Sequence, residues 1–101
     1  MPEIGYQPDR NLGVIHYHDA DVHQTIQFQN GSVSDNGING VQNEEVLDLV
    51  ATRLRYLNSK FPCRENSIAI TKIEEAVMWL RKRTATRQAQ GVEGKNEAHV
   101  S

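Results

Sequence analysis

Phe61-Pro62-Cys63-Arg64-Glu65-Asn66 (FPCREN) decides how the second half of this chain folds, because it separates two long segments of helical periodicity. Upstream, Val46, Leu47, Val50, Leu54 and Leu57 recur at helical spacing, with Leu49 and Tyr56 on the flank. Asn43 is a good N-cap for this first helix, and Glu44 and Glu45 stand in its first turn, where the macrodipole favours negative charge. Asn58-Ser59-Lys60-Phe61-Pro62 ends it, since proline lacks the amide that would continue the ladder yet suits the first turn of a new helix. Downstream, Ile70, Ile73, Val77 and Leu80 mark the core stripe of a second helix, predicted from about Cys63 to about Gln90 and stopped by Gly91 and Gly94. Asn66 lies on that same stripe, so its amide is expected to be partly screened from water and in need of a partner. Two striped helices joined by a short link imply an antiparallel helical hairpin, followed by a polar, frayed tail.

The first half reads differently. Residues 13–18 (GVIHYH) and 22–29 (VHQTIQFQ) are rich in β-branched and aromatic side chains, and alternation in the second places Ile26 and Phe28 on one face. Two strands of an antiparallel sheet are expected there. Asn30–Gly40 then holds three Asn-Gly pairs, each suited to the positive φ of a tight turn, which predicts a turn-rich connection with a short strand around Val33. The fold class is α+β: a small N-terminal antiparallel β-sheet followed by a two-helix antiparallel hairpin. One domain is expected over residues 1–101, with strands and turns to about 41, helices over 43–60 and 63–90, and a tail from 91.

A chain of 101 residues with 38% hydrophobic content and 6% aromatics can build only a modest core, so it stands to gain from self-association. Its opening residues contain no apolar run suited to a signal peptide, and no segment approaches the roughly 20 apolar residues of a membrane span. The single cysteine, Cys63, excludes an internal disulfide and a cysteine-rich zinc site. A cytoplasmic protein is expected. Its net charge of −2 hides an asymmetry, because residues 1–50 carry one basic side chain against eight acidic ones while residues 51–90 carry nine against three. The basic half should meet any anionic ligand, although the two halves could equally attract each other or a partner subunit.

Four residues are candidates for binding a phosphorylated nucleotide. An aromatic stacks a base, an amide reads its edge and a guanidinium pairs phosphate, and Tyr56, Asn66, Arg83 and Arg87 supply these groups around and beyond the link. Each also has a plainer reading: Tyr56 as core packing, Asn66 as a helix cap, and the arginines as a solvated helix end complementing the dipole. Glu75, Trp79, Arg83 and Arg87 recur every four residues, predicting an exposed ridge on which Trp79 stacks with Arg83 and leaves Arg87 free. His16 and His18 share a strand face, with His23 nearby, but the sequence marks no third ligand, so no metal site is assigned. Cys63 has no histidine near it in sequence to act as a base, and no phosphate-binding loop, dinucleotide fingerprint or hydrolase motif occurs. Neither catalysis nor a cofactor is expected.

An ordered series of short motifs carries a family resemblance over about residues 24–94. Phe28-Gln29-Asn30-Gly31, Asn36-Gly37-Ile38-Asn39-Gly40-Val41, FPCREN, Thr71-Lys72-Ile73-Glu74-Glu75-Ala76, Trp79-Leu80, Arg83-Thr84 and Gly91-Val92-Glu93-Gly94 together resemble the phage anti-Thoeris protein family, which shares its helical hairpin with phage anti-CBASS proteins. The resemblance implies a viral anti-defence sponge that captures cyclic nucleotide immune signals without cleaving them in the cytoplasm of the infected bacterium. Glycocyclic ADP-ribose isomers are the principal ligands it implies, with cyclic di- or trinucleotides in separate sites of some members. It also implies a homodimer or hexamer, a stacking aromatic at Tyr56, a base-reading amide at Asn66 and paired arginines at Arg83 and Arg87. Tyrosine stands where phenylalanine is common, and Lys95-Asn96 follows Gly94 where a Thr-His pair is frequent. The strand-rich N-terminal part favours the anti-Thoeris branch over the all-helical anti-CBASS one.

Two rival readings remain open at this level. A small nucleic-acid-binding regulator would use Arg81, Lys82, Arg83 and Arg87 and show steep salt dependence. A purely structural or protein-interaction module would bind no small molecule.

Overall fold

The computed structural model describes residues 1–89 and has the expected α+β make-up, three antiparallel strands followed by helices. Two compact units are present, one formed by residues 1–42 and the other beginning at Asn43. The helix stops assigned to Gly91 and Gly94 and the tail from residue 91 lie outside the described residues.

The first unit is a meander of β1 (Glu3–Gln7), β2 (Leu12–Tyr17) and β3 (Val22–Gln27), in the order β1-β2-β3. β2 and β3 lie within a residue or two of the segments marked by β-branched and aromatic content, whereas β1 lies outside them. Glu3-Ile4-Gly5-Tyr6-Gln7 has a glycine at its centre and one β-branched residue, so little in its own composition favours a strand; pairing with β2 from Glu3↔His16 to Gln7↔Leu12 makes it one. Along β2 and β3 the pleat puts Ile15 and Ile26 on one face with Tyr6 of β1. Phe28 continues this face, its ring meeting Tyr6 edge-on at 6.2 Å. The Gln27 side chain holds the end of β3 to the β1–β2 turn by donating to the Arg10 carbonyl at 2.9 Å.

Around Val33 the structure corrects the expected short strand. Val33–Asn36 is a single helical turn, α1, because the Ser32 side chain accepts from the Asp35 amide and so caps a helix start that β-propensity alone does not disclose. Asn39 then closes the loop on itself: its Oδ1 accepts from the Asn30 amide at 2.8 Å and its Nδ2 donates to the Asn30 carbonyl at 2.9 Å. Val41 bridges to Phe28, and a side chain on the intervening Gly40 would place its Cβ 2.5 Å from the Phe28 carbonyl. Gly40→Ala therefore forces backbone apart rather than displacing a flexible side chain, and is expected to lower stability by about 1–3 kcal/mol. Urea unfolding followed by tyrosine fluorescence checks this, and an unchanged midpoint would mean that the loop adapts freely.

The second unit is a helical hairpin of α2 (Asn43–Lys60) and α3 (Arg64–Ala89). Asn58–Ser67, Arg55–Glu74 and Asp48–Arg81 contacts run outward from the link, so the helices are antiparallel. All three pairs are exposed, and exposed pairs contribute roughly 0–1 kcal/mol each, so they set register more than stability. Ala51, Ile70 and Val77 are the buried hydrophobic side chains among the described residues, flanked by half-buried Val46, Leu47, Leu54, Leu57, Ile73 and Leu80. Val50, expected in that stripe, is 42% exposed, as are larger fractions of Leu49, Tyr56, Phe61, Met78 and Trp79. Two helices can cover only one face of each other, and the remaining apolar side chains face water in the single chain.

Candidate functional site

The link between the helices is held by hydrogen bonds that the FPCREN residues make locally. Asn58 on α2 accepts from the Cys63 amide at 3.0 Å through Oδ1 and donates to Ser67 Oγ at 3.3 Å through Nδ2, spanning the turn with one side chain. Cys63 in turn caps α3, its Sγ accepting from the Asn66 amide at 3.4 Å and its carbonyl from the Ser67 amide at 3.2 Å. Helix α3 accordingly starts at Arg64, one residue later than expected, with an exposed free thiol engaged in capping.

Tyr56 and Asn66 flank this link from opposite sides. Tyr56 is 60% exposed, which removes its reading as core packing, and Lys60 Nζ lies 5.4 Å from its ring centroid, one helical turn on. Asn66 is half-buried, as its place in the stripe predicts, and among the described residues its side-chain amide has no hydrogen-bond partner. An accessible aromatic face beside a basic nitrogen, and an amide with unused donors and acceptor, suit a flat heterocycle with polar edges.

Arg83 and Arg87 stand elsewhere. Seventeen residues separate Asn66 from Arg83 along α3, about 25 Å at the rise of an α-helix, so one chain does not bring Arg83 to the link. Arg83 is exposed and makes no ion pair among the described residues. The ridge reading is corrected in two respects. Lys82, not Arg83, sits over Trp79, 4.9 Å from its ring, because the i+3 position falls on the same helical face as readily as i+4. Arg87 is only 8% exposed and has an interaction of its own, so it is neither on an open flank nor free. Lys60 and Lys82, both missed as aromatic partners in the sequence, were legible there as i+4 and i+3 neighbours of Tyr56 and Trp79.

Against known proteins, the model of the Acb2/Tad1 hairpin domain matches residues 20–85, a span that contains α2, the whole link and α3 up to its last four residues. The chain belongs to the Acb2/Tad1 hairpin family. It is similar also to a curated protein named Thoeris anti-defense 1 from Bacillus phage SBSphiJ7, with 58% identity over 74 residues, 72% of this chain and 52% of that protein. This Acb2/Tad1-family chain thus spans about half the length of the curated relative it matches. Tyr56, Asn66 and Arg83 all fall within the stretch matched by the hairpin-domain model.

Elsewhere, an open depression of about 490 Å³ lies in the first unit, lined by Arg10, Leu12, Gln27, Asn30 and Asn39. It includes none of the residues picked from sequence. Among the described residues, no helix is long and apolar enough to cross a membrane.

Proposed function

We propose that this protein is an anti-defence factor that binds cyclic nucleotide immune signals, glycocyclic ADP-ribose isomers first among them, and holds them without cleaving them in the cytoplasm of an infected bacterium. Membership of the Acb2/Tad1 hairpin family carries the reading, supported by the relative named for its action against the Thoeris defence. Tyr56 stacks the adenine and Asn66 reads its edge, while Arg83 pairs phosphate with two charge-assisted hydrogen bonds. Arg87 belongs to the same basic helix end and is the least accessible of the four.

Because about 25 Å of helix separates Asn66 from Arg83, a site that uses both draws them from two chains. The exposed apolar side chains of the hairpin, Leu49, Phe61, Met78 and Trp79, favour the same arrangement, since association would remove them from water. A homodimer, alone or within a hexamer, then carries its ligands between subunits. The nucleic-acid reading is weaker on one specific ground: of its four cations, Arg81 is paired with Asp48 and Arg87 is buried, leaving Lys82 and Arg83 to face a phosphate backbone.

Calorimetry with purified cyclic ADP-ribose isomers, followed by heat release and chromatography of the bound material, tests the proposal. Saturable binding and recovery of intact ligand are expected. No binding to any cyclic nucleotide would remove the sponge reading, and a hydrolysed product absent from a protein-free control would reveal catalysis.

A further inference from the structure

Beyond the hairpin, the sheet gathers three histidines and two carboxylates at one end. Register places Glu3 opposite His16 and His16 opposite His23, so one cross-strand row runs Glu3–His16–His23 over β1, β2 and β3 on a single face. His18, two residues past His16, projects on the same side, and its ring and that of His23 both lie 3.8 Å from the His16 ring, centroid to centroid. Asp21 ends the four-residue turn that returns the chain from β2 to β3, in the left-handed region at φ 50°.

The His16 Nε2 atom is buried and has no hydrogen-bond partner, an expensive position for a polar nitrogen. Asp21 Oδ1 lies 3.6 Å away, too far for a hydrogen bond but close to the roughly 3.4 Å that separates two ligand atoms of a tetrahedral ion with bonds of about 2.1 Å. The donor atoms of His16, Asp21 and His23 all lie within 4.8 Å of one another. Glu3 and His18 form a second such set with His16, their own Oε2 and Nε2 3.7 Å apart, so substitutions at Glu3 and His18 distinguish that set from the one with Asp21 and His23.

We propose that His16, Asp21 and His23 hold a divalent transition-metal ion of the zinc class. Two imidazoles and a carboxylate suit Zn²⁺, Ni²⁺ or Cu²⁺ and disfavour the hard cations Mg²⁺ and Ca²⁺, which take oxygen ligands. The His16 and His23 rings are stacked nearly parallel, at 13°, so both turn about their Cβ–Cγ bonds to bring their nitrogens onto an ion beside the Asp21 carboxylate. A bound ion satisfies the orphaned nitrogen and ties β2, β3 and their turn together. It sits in the sheet unit and shares no residue with the nucleotide site proposed for the hairpin.

The test uses the tag-free full chain, stripped with chelator and titrated with Zn²⁺ in excess Mg²⁺ by calorimetry, with the unfolding temperature read in parallel. One-to-one saturable binding and a raised Tm are expected. His16→Ala, His23→Gln and Asp21→Asn should each weaken Zn²⁺ binding at least about tenfold. Glu3→Gln and His18→Ala should stay within about twofold of the parent. His23 and Asp21 are exposed, so their conservative variants remain informative if His16→Ala fails to fold, and far-UV circular dichroism verifies the fold of each. Absence of saturable Zn²⁺ binding overturns the proposal. So does parental affinity in His23→Gln and Asp21→Asn, or a loss confined to Glu3→Gln and His18→Ala.

Discussion

Tyr56→Ala is expected to weaken capture of cyclic ADP-ribose isomers about 5- to 150-fold, the equivalent of roughly 1–3 kcal/mol for one base stacked on an aromatic ring. Its exposure makes the experiment clean. A residue 60% open to water contributes little to the hairpin core, so the variant should unfold within about 0.5 kcal/mol of the parent while losing ligand. Tyr56→Phe keeps the π-face and the Lys60 contact and should bind within about twofold of the parent. Asn66→Ala removes the edge-reading amide and should cost about 2- to 12-fold, the usual net worth of one hydrogen bond. Calorimetry of all three variants against the same isomer decides the matter. Parental affinity in both alanine variants would show that the adenine sits elsewhere.

Arg83→Ala should weaken binding about 10- to 150-fold, because hydrogen bonds from a charged donor contribute roughly 1.5–3 kcal/mol. The informative experiment mixes variants. If each site takes Tyr56 from one chain and Arg83 from its partner, a dimer of one Tyr56→Ala chain and one Arg83→Ala chain has one intact site and one doubly defective site. Random re-association of equal amounts makes half the dimers mixed, so about a quarter of all sites should regain parental affinity. Sites built within one chain would regain none, and that result would sink the shared pocket. Arg87→Ala belongs in the same series: lost affinity at unchanged stability assigns it to the ligand, whereas a lowered unfolding midpoint alone assigns it to packing, as its 8% exposure leads one to expect.

The hairpin was legible from residue letters because its information is local. Stripe positions repeat every three or four residues, Pro62 interrupts one ladder, and Asn43 with Glu44 and Glu45 marks a start, so α2 and α3 are found within a residue of their expected beginnings. β-Branched and aromatic content likewise located β2 and β3, with alternation adding the face of Ile26 and Phe28. The chemistry of Tyr56 and Asn66 as residue types could also be named beforehand, since stacking and edge recognition follow from the side chains themselves.

What the letters did not contain is pairing. β1 exists because β2 offers it a ladder, and α1 replaces a strand because the Ser32 hydroxyl reaches an amide three residues on. Arg87 is buried although its neighbours every four residues along the ridge suggested an open flank, because exposure depends on what packs against a helix and not on its own repeat. His23 becomes the neighbour of His16 only through the register of the β2–β3 hairpin, which a one-residue slip would have turned to the opposite face. Sequence by itself determined the elements, whose hydrogen bonds close within a few residues. Tertiary structure decided which side chains meet, because contacts between elements are set by register and packing that no single segment encodes.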